Sequence, residues 1–280
     1  MEKQFKGKAI YTPSGRAAEY ARWACNFYTG CSNACEYCYC RKGIMSHTWS
    51  PIPKLKKCFD NEDHALAIFE KELVMNKAEL QKHGLFFSFT TDPMLPETYN
   101  LTRLAISICY VHHIPISILT KTTWWVKDWY FPVDFAVIGF TLTGHDELEL
   151  NASTNAERID AMKILHDQGV KIFASIEPVI DTLRSISMIM QSKGYCDLYK
   201  IGLQSGKVYS RLDLLNMFTQ VKNYLDVPIY WKDSYLEQLG ATRALLPANC
   251  VGRDYNLFHG DSLTRSEAIT DQPNINPMIQ

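Results

Sequence analysis

The 280-residue chain has no excess of charge of either sign: 29 Lys and Arg stand against 30 Asp and Glu, a formal net charge of −1. That excludes a global basic field of the kind that drives non-specific nucleic-acid binding. Long apolar runs are also missing, and none approaches the roughly 20 residues that a membrane-spanning helix needs. The start has no basic segment followed by an apolar one, so no signal peptide is read there. No membrane contact and a reducing, cytoplasmic setting are the expectation, with the nine cysteines as free thiols or metal ligands rather than disulfides. Internal repeats, low-complexity blocks and linkers are absent, while 46% apolar composition suffices for one large core.

Charge is nevertheless uneven. Up to residue 57, ten Lys and Arg face three acids (Glu2, Glu19 and Glu36), a local excess of seven. Such a stretch reads either as a basic rim for an anionic substrate or as a solvated face.

Along the chain, apolar and polar residues alternate between the helical and the strand period. Residues 1–24 read as an extended lead-in, with Thr12-Pro13-Ser14-Gly15 as a turn. Residues 61–82 carry a helical pattern ended by Gly84. A strand follows at 85–90, a helix at 101–113, a strand at 116–120 and a short helix at 124–129. The run Phe135 to Thr141 is nearly all apolar, as in a strand buried on both faces. Ser153-Thr154-Asn155-Ala156-Glu157 caps a helix running to 168, and strand 171–176, helix 181–193, strand 198–201, helix 212–225 and strand 228–232 complete the rhythm. About six β/α units imply a parallel, buried sheet. Residues 25–235 form this unit, and 236–280 a C-terminal extension that is loosely ordered from 254 on.

Within that frame, Cys31, Cys35 and Cys38 form a Cys-x3-Cys-x2-Cys cluster directly after Asn26-Phe27-Tyr28-Thr29-Gly30. Thiolates select iron-sulfur clusters, zinc or copper(I). A closed zinc site wants four ligands, whereas three thiols leave one iron of a [4Fe-4S] cluster open. A zinc knuckle and a buried thiol group stay open as readings, since Cys40 offers a fourth thiol.

This cysteine spacing with Tyr37 before the third thiol resembles the signature of the radical S-adenosylmethionine (SAM) superfamily. Together with Phe87-Ser88-Phe89-Thr90-Thr91-Asp92-Pro93, Ile118-Leu119-Thr120-Lys121 and Ser175-Ile176-Glu177-Pro178, it is similar to the branch of spore photoproduct lyase and the DNA repair photolyase-like proteins of bacteria and phages. The resemblance spans roughly residues 10 to 235. It implies a partial (β/α)6 TIM barrel, a [4Fe-4S] cluster on Cys31, Cys35 and Cys38, and reductive SAM cleavage to a 5′-deoxyadenosyl radical. It also implies an external electron donor such as flavodoxin or ferredoxin. Tyr37, Ser88, Thr90, Lys121 and Glu177 are the implied SAM-contacting residues, with Asp92 beside them.

Each has a plainer reading: loop packing for Tyr37, strand-end chemistry for Ser88 and Thr90, a surface cation for Lys121, a helix-start carboxylate for Glu177. Thr141, Thr143, Lys200, Gln204 and Lys232 also fall near strand ends, where barrel sites are built. His112 and His113 end a helix, and the aromatic group Trp124 to Phe131 reads as core or as a base-stacking surface. No hydrogen donor is identified: Cys40 does not match the position of a donor thiol, and Cys58, Cys109, Cys196 and Cys250 read as core. The substrate is not named by any stretch; a nucleotide or nucleic acid is the class the branch suggests. A non-catalytic iron-sulfur or zinc protein that senses redox state or binds a partner is the alternative.

Overall fold

The computed structural model describes residues 4–42, 46 and 49–258. Ten strands and seven α-helices follow one another as β1 (Ile10–Tyr11), β2 (Ala24–Cys25), β3 (Tyr28–Thr29), β4 (Lys54–Leu55), α1 (Glu62–Met75), α2 (Lys77–His83), β5 (Leu85–Phe87), α3 (Pro96–Val111), β6 (Ile116–Thr120), β7 (Ala136–Thr141), α4 (Asn155–Asp167), β8 (Lys171–Val179), α5 (Thr182–Ser192), β9 (Leu198–Leu203), α6 (Arg211–Tyr224), β10 (Ile229–Trp231) and α7 (Asp233–Leu239). The main sheet has the order β1-β2-β5-β6-β7-β8-β9-β10. Only the β1/β2 pair is antiparallel; every other neighbour is parallel. β3 and β4 form a separate two-stranded ribbon.

Local sequence explains most boundaries. Thr154 and Glu157 close a reciprocal capping box on α4, Asp181 accepts from Arg184 N at the start of α5, and Asn61 accepts from His64 N at the start of α1. The single helix expected over 61–82 is two. At Asn76 the backbone leaves the helical region (φ −113°, ψ 17°), and Glu72 O accepts both the Asn76 backbone N–H (3.2 Å) and its side-chain Nδ2 (2.8 Å), which closes the first helix there. The helix expected at 124–129 is one 3₁₀ turn, Val126–Asp128. Trp125 is fully buried there and bonds Thr122 O through its own Nε1, so side-chain anchoring overrides helical continuation.

Side chains alternate across each strand. One face packs beneath the helices in the main core. The other gathers Ala24, Phe86, Val137, Phe173, Leu198 and Tyr230, from six strands, into one inner cluster. Gly139 lies on this inner face because a Cβ would stand 2.1 Å from the Phe173 ring.

Two chain segments cover the inner face. The N-terminal turn Gly15–Glu19 with Tyr20 enters near the C-terminal strand ends. At the opposite ends, residues 249–258 run from the β10 edge toward β2 and β5. Ile229 N donates to Asn249 O, Arg22 pairs with Asp254 at 3.0 Å, and Phe258 lies against Gly84. Val251, Tyr255, Leu257 and Phe258 pack on the inner cluster. Residues 254–258, expected in a loosely ordered tail, are thus held by an apolar surface that needs covering; the rest of that tail, 259–280, lies outside the described residues. Among the described residues no helix is long and apolar enough to cross a membrane.

Candidate active site at the cysteine loop

The cysteine loop leaves β2 at its C-terminal end. Asn26 turns it by accepting from Phe89 N (2.8 Å) and donating to Tyr11 Oη (2.7 Å). Gly30 has φ +83°, and its Cα runs so close to the 50–52 segment that a Cβ would stand 2.6 Å from Ser50 O. That close approach lets Cys31 N donate to Ser50 O. Short turns then wrap the thiols, with Ala34 N donating to Cys31 O and Cys38 N to Cys35 O.

Two buried carboxylates hold this loop. Asp92, 7% exposed, accepts from Asn33 Nδ2 (2.9 Å), Thr120 Oγ1 (2.7 Å), Lys121 N (2.8 Å) and Met94 N (3.0 Å). It therefore ties the loop after β2 to the ends of β5 and β6. Glu149 receives the Tyr37 hydroxyl and meets Arg158 Nη2 at 2.8 Å as an ion pair, without the alignment of a hydrogen bond. Both side chains of that pair are wholly buried, and Arg158 Nη1 also donates to Thr141 O. Glu36 N to Leu148 O and Asn151 Nδ2 to Ser32 O complete the contact between the loop and the β7–α4 connection.

The thiols lie in unlike fields. Burial, reinforced by the Asp92 carboxylate, pushes Cys31 up to about 12, while N–H groups of Asp92 and Asn33 oppose the rise. Burial also raises Cys35, with Lys121 pulling the other way. Cys38 is held down at about 6, first by the Cys40 thiol that bonds to it, and Cys40 is raised in turn. Burial disfavours the Lys121 ammonium, but Cys35 and Glu149 outweigh that and raise its pKa. The Lys121 ammonium stands 5.7 Å from the Tyr37 ring centroid.

Among the described residues no three or more His, Cys, Asp or Glu side chains converge in metal-binding geometry. The donor chemistry nonetheless fits a soft metal centre. Three thiols share one short loop beside Lys121, and Asn33 Oδ1 and Thr91 Oγ1 next to them are buried without partners.

A second polar group occupies the inner face at the ends of β8, β9 and β10. Alternation aims Ser175 and Glu177 of β8, Lys200 and Gly202 of β9, and Lys232 just past β10 inward. Lys232 Nζ donates to both Glu177 oxygens (2.9 and 2.7 Å), Tyr20 Oη donates to Glu177 Oε2 (2.6 Å), and Ser175 Oγ lies 2.6 Å from Tyr20 Oη. Glu19, 2% exposed, lies 3.4 Å from Lys232 and accepts from Tyr230 Oη and Asp233 N. Gly202 is required here, because a Cβ would stand 2.7 Å from Lys232 Cδ and 2.8 Å from Glu177 Oε1. Burial, and then Lys232, brings Lys200 down to about 7. Its ammonium donates to Tyr20 O at 3.1 Å.

The structure thus brings Cys31, Cys35, Cys38, Tyr37 and Lys121 together, while Glu177 belongs to the second polar group on the inner face. The chain from one group to the other runs through Phe89, whose carbonyl receives the Tyr39 hydroxyl and whose ring lies 6.2 Å from Tyr20. The hydroxyls of Ser88 and Thr90 serve the backbone, bonding Thr91 O and Tyr28 O. Thr143 Oγ1 accepts from His145 N, and Gln204 lies on the loop after β9. His112 is partly buried, 3.9 Å from Glu70. Sequence reasoning missed Glu149, Glu19 and Tyr20, which come from connections with no periodic signal, and Arg158, a charge on the buried face of α4 whose partner is distant in the pattern. Lys200 and Lys232 could have been ranked higher, since each is a charge at an inward position of an otherwise buried strand.

No family model matches the chain. It is 27% identical over 192 residues to an uncharacterized protein of Methanocaldococcus jannaschii, a match covering 64% of this chain and 69% of that protein. Among solved structures it is similar to Streptococcus suis SuiB bound to S-adenosylmethionine, with 13% sequence identity and a TM-score of 0.44. That similarity covers 62% of this chain and spans 43% of SuiB.

Proposed function

We propose that the chain is a radical SAM enzyme of the spore photoproduct lyase-like branch, built on a partial (β/α)6 barrel, with Cys31, Cys35 and Cys38 as the ligands of a [4Fe-4S] cluster. The observation that carries this reading is the three-thiol loop at the C-terminal end of a parallel strand, fastened by Asp92 and Glu149 beside Lys121. Bound there, the cluster and SAM supply reductive cleavage of the sulfonium and a 5′-deoxyadenosyl radical. Lys121 offers a cation to the SAM carboxylate, and Tyr37 an aromatic face to its adenine. Glu177, Ser88 and Thr90 are the polar groups for its amino and ribose groups. Glu177 is oriented by Lys232 and Tyr20. An external donor of the flavodoxin or ferredoxin type supplies the electron, and the substrate class is a nucleotide or nucleic acid.

Anaerobically reconstituted protein is expected to bind close to four irons and, with dithionite and SAM, to release 5′-deoxyadenosine. Iron-loaded protein that never cleaves SAM refutes the reading. Cys35→Ala should lose both cluster absorbance and SAM cleavage. One placement favours a second reading: Cys40 is a free, buried thiol on the 3₁₀ turn directly after Cys38, which puts a fourth thiol beside the loop. A zinc-binding, non-catalytic protein then binds one zinc in place of iron, and Cys40→Ala weakens that zinc while leaving an iron-sulfur centre intact.

A further inference from the structure

In the aromatic run from Trp124 to Phe131, Trp125 and Phe131 are buried, whereas Trp124 is 47% exposed and Tyr130 62%. The Trp124 ring is fixed rather than loose: Nε1 donates to Met94 O at 3.0 Å, and Tyr99 packs edge-on at 4.8 Å between centroids. The ring borders a cleft of about 450 Å³, lined also by Ser32, Leu95, Glu97, Thr122, Asn151 and Ser153. That volume is in the range of sites for small groups. The cleft opens on the outer side of the cysteine loop, and its wall is tied to that loop by the Asn151 Nδ2 bond to Ser32 O.

The lining has a definite chemical sense. Glu97 supplies an exposed carboxylate, Asn151 keeps its amide oxygen as an acceptor, and among the described residues no Lys or Arg lines the cleft. A carboxylate in the first turn of α3 is favoured by the helix dipole in any case. The rigid, half-bare indole beside it is what that explanation leaves over. An aromatic face next to a carboxylate attracts a cation, and a planar one can stack and donate at the same time. Phosphate is repelled by the same carboxylate, which disfavours a nucleotide. Free arginine would bring its own carboxylate into a cleft in which no described residue is a cation to receive it.

We propose that this cleft binds the guanidinium of an arginine on a partner polypeptide, stacked on Trp124 and donating to Glu97 and Asn151 Oδ1, at a place distinct from the inner face. The site docks a basic peptide segment against the outer side of the cysteine loop. It is independent of the radical SAM reading, because binding is expected with or without cluster.

Isothermal titration calorimetry of the full chain with an N-acetylated, C-amidated arginine hexapeptide is the test, with the lysine hexapeptide, free L-arginine, adenosine and a single-stranded oligonucleotide alongside. The arginine peptide is expected to bind, and Glu97→Gln and Trp124→Ala each to weaken it about tenfold, with Trp124→Phe weakening it less. Glu97→Gln sits on the surface and breaks no bond within the fold, so it tests the site even if Trp124→Ala unfolds. No heat from the arginine peptide at millimolar concentration, or unchanged affinity in Glu97→Gln, overturns the proposal. Equal binding of the lysine peptide overturns the guanidinium, and equal binding of free arginine overturns the polypeptide source. Binding of adenosine or the oligonucleotide that is lost in Trp124→Ala overturns it in favour of a base-stacking site.

Discussion

Replacing Asp92 with Asn tests the idea that one buried carboxylate fastens the cysteine loop to the sheet. Asp92 receives four donors, two on each oxygen: Thr120 Oγ1 and Met94 N on Oδ1, Asn33 Nδ2 and Lys121 N on Oδ2. An asparagine keeps the shape but has one acceptor oxygen, so in either orientation its amide nitrogen faces two donors. Two hydrogen bonds to a charged group at about 1.5–3 kcal/mol each are then lost, and with partial relaxation the net cost is about 3–5 kcal/mol. Unfolding entropy of about 2.1 cal/mol/K per residue over 280 residues makes each kcal/mol worth about 1.7 °C, so Tm should fall by about 5–8 °C. Differential scanning calorimetry measures it. Asp181→Asn is the comparison: that carboxylate accepts one bond, from Arg184 N, at an exposed helix start, and should shift Tm by under about 2 °C. Because Asn33 lies between the first two thiols, Asp92→Asn should also lower metal retention after chelator challenge. A Tm within about 1 °C of wild type would show that Asp92 is not the fastening point.

Three further outcomes follow from other parts of the structure. Glu149→Gln leaves the wholly buried Arg158 charge without its counter-ion and should cost about 3–5 kcal/mol in urea unfolding, much of it recovered in the double variant with Arg158→Met; a loss under about 1 kcal/mol refutes the pair. Lys200 titrates at about 7 in the fold because burial and Lys232 disfavour its charge. Between there and the ordinary lysine value of about 10.4 the unfolded chain binds a proton the folded chain does not, so wild-type stability gains up to about 1.4 kcal/mol per pH unit. Lys200→Met should thus stabilise most at pH 6, with an advantage that shrinks toward pH 9; an advantage independent of pH refutes the depressed lysine. Gly202→Ala puts a methyl against the Glu177–Lys232 pair and should cost about 1–3 kcal/mol, while also weakening SAM binding in equilibrium dialysis if Glu177 holds that cofactor.

The parallel α/β architecture was legible because burial on both faces writes strands as apolar runs and leaves helices a polar stripe. Phe135 to Thr141 and the Thr154 to Glu157 cap were readable for that reason. Asn76 and Trp125 were not, since a non-helical backbone at Asn76 and the anchored Trp125 ring end helices that the pattern alone would continue. The thiol loop was equally plain, three soft donors in eight residues needing no fold to be noticed. By itself, then, the sequence determined the strand and helix alternation and the cysteine donor set, both of which are local in the chain. Only the tertiary structure decided what surrounds them. Asp92 meets Asn33 across 59 residues, Glu149 reaches Tyr37 across 112, and Lys232 meets Glu177 across 55. Such pairings arise from strand register and crossover connections, which bring distant residues to one rim and leave no periodic trace in the residues themselves.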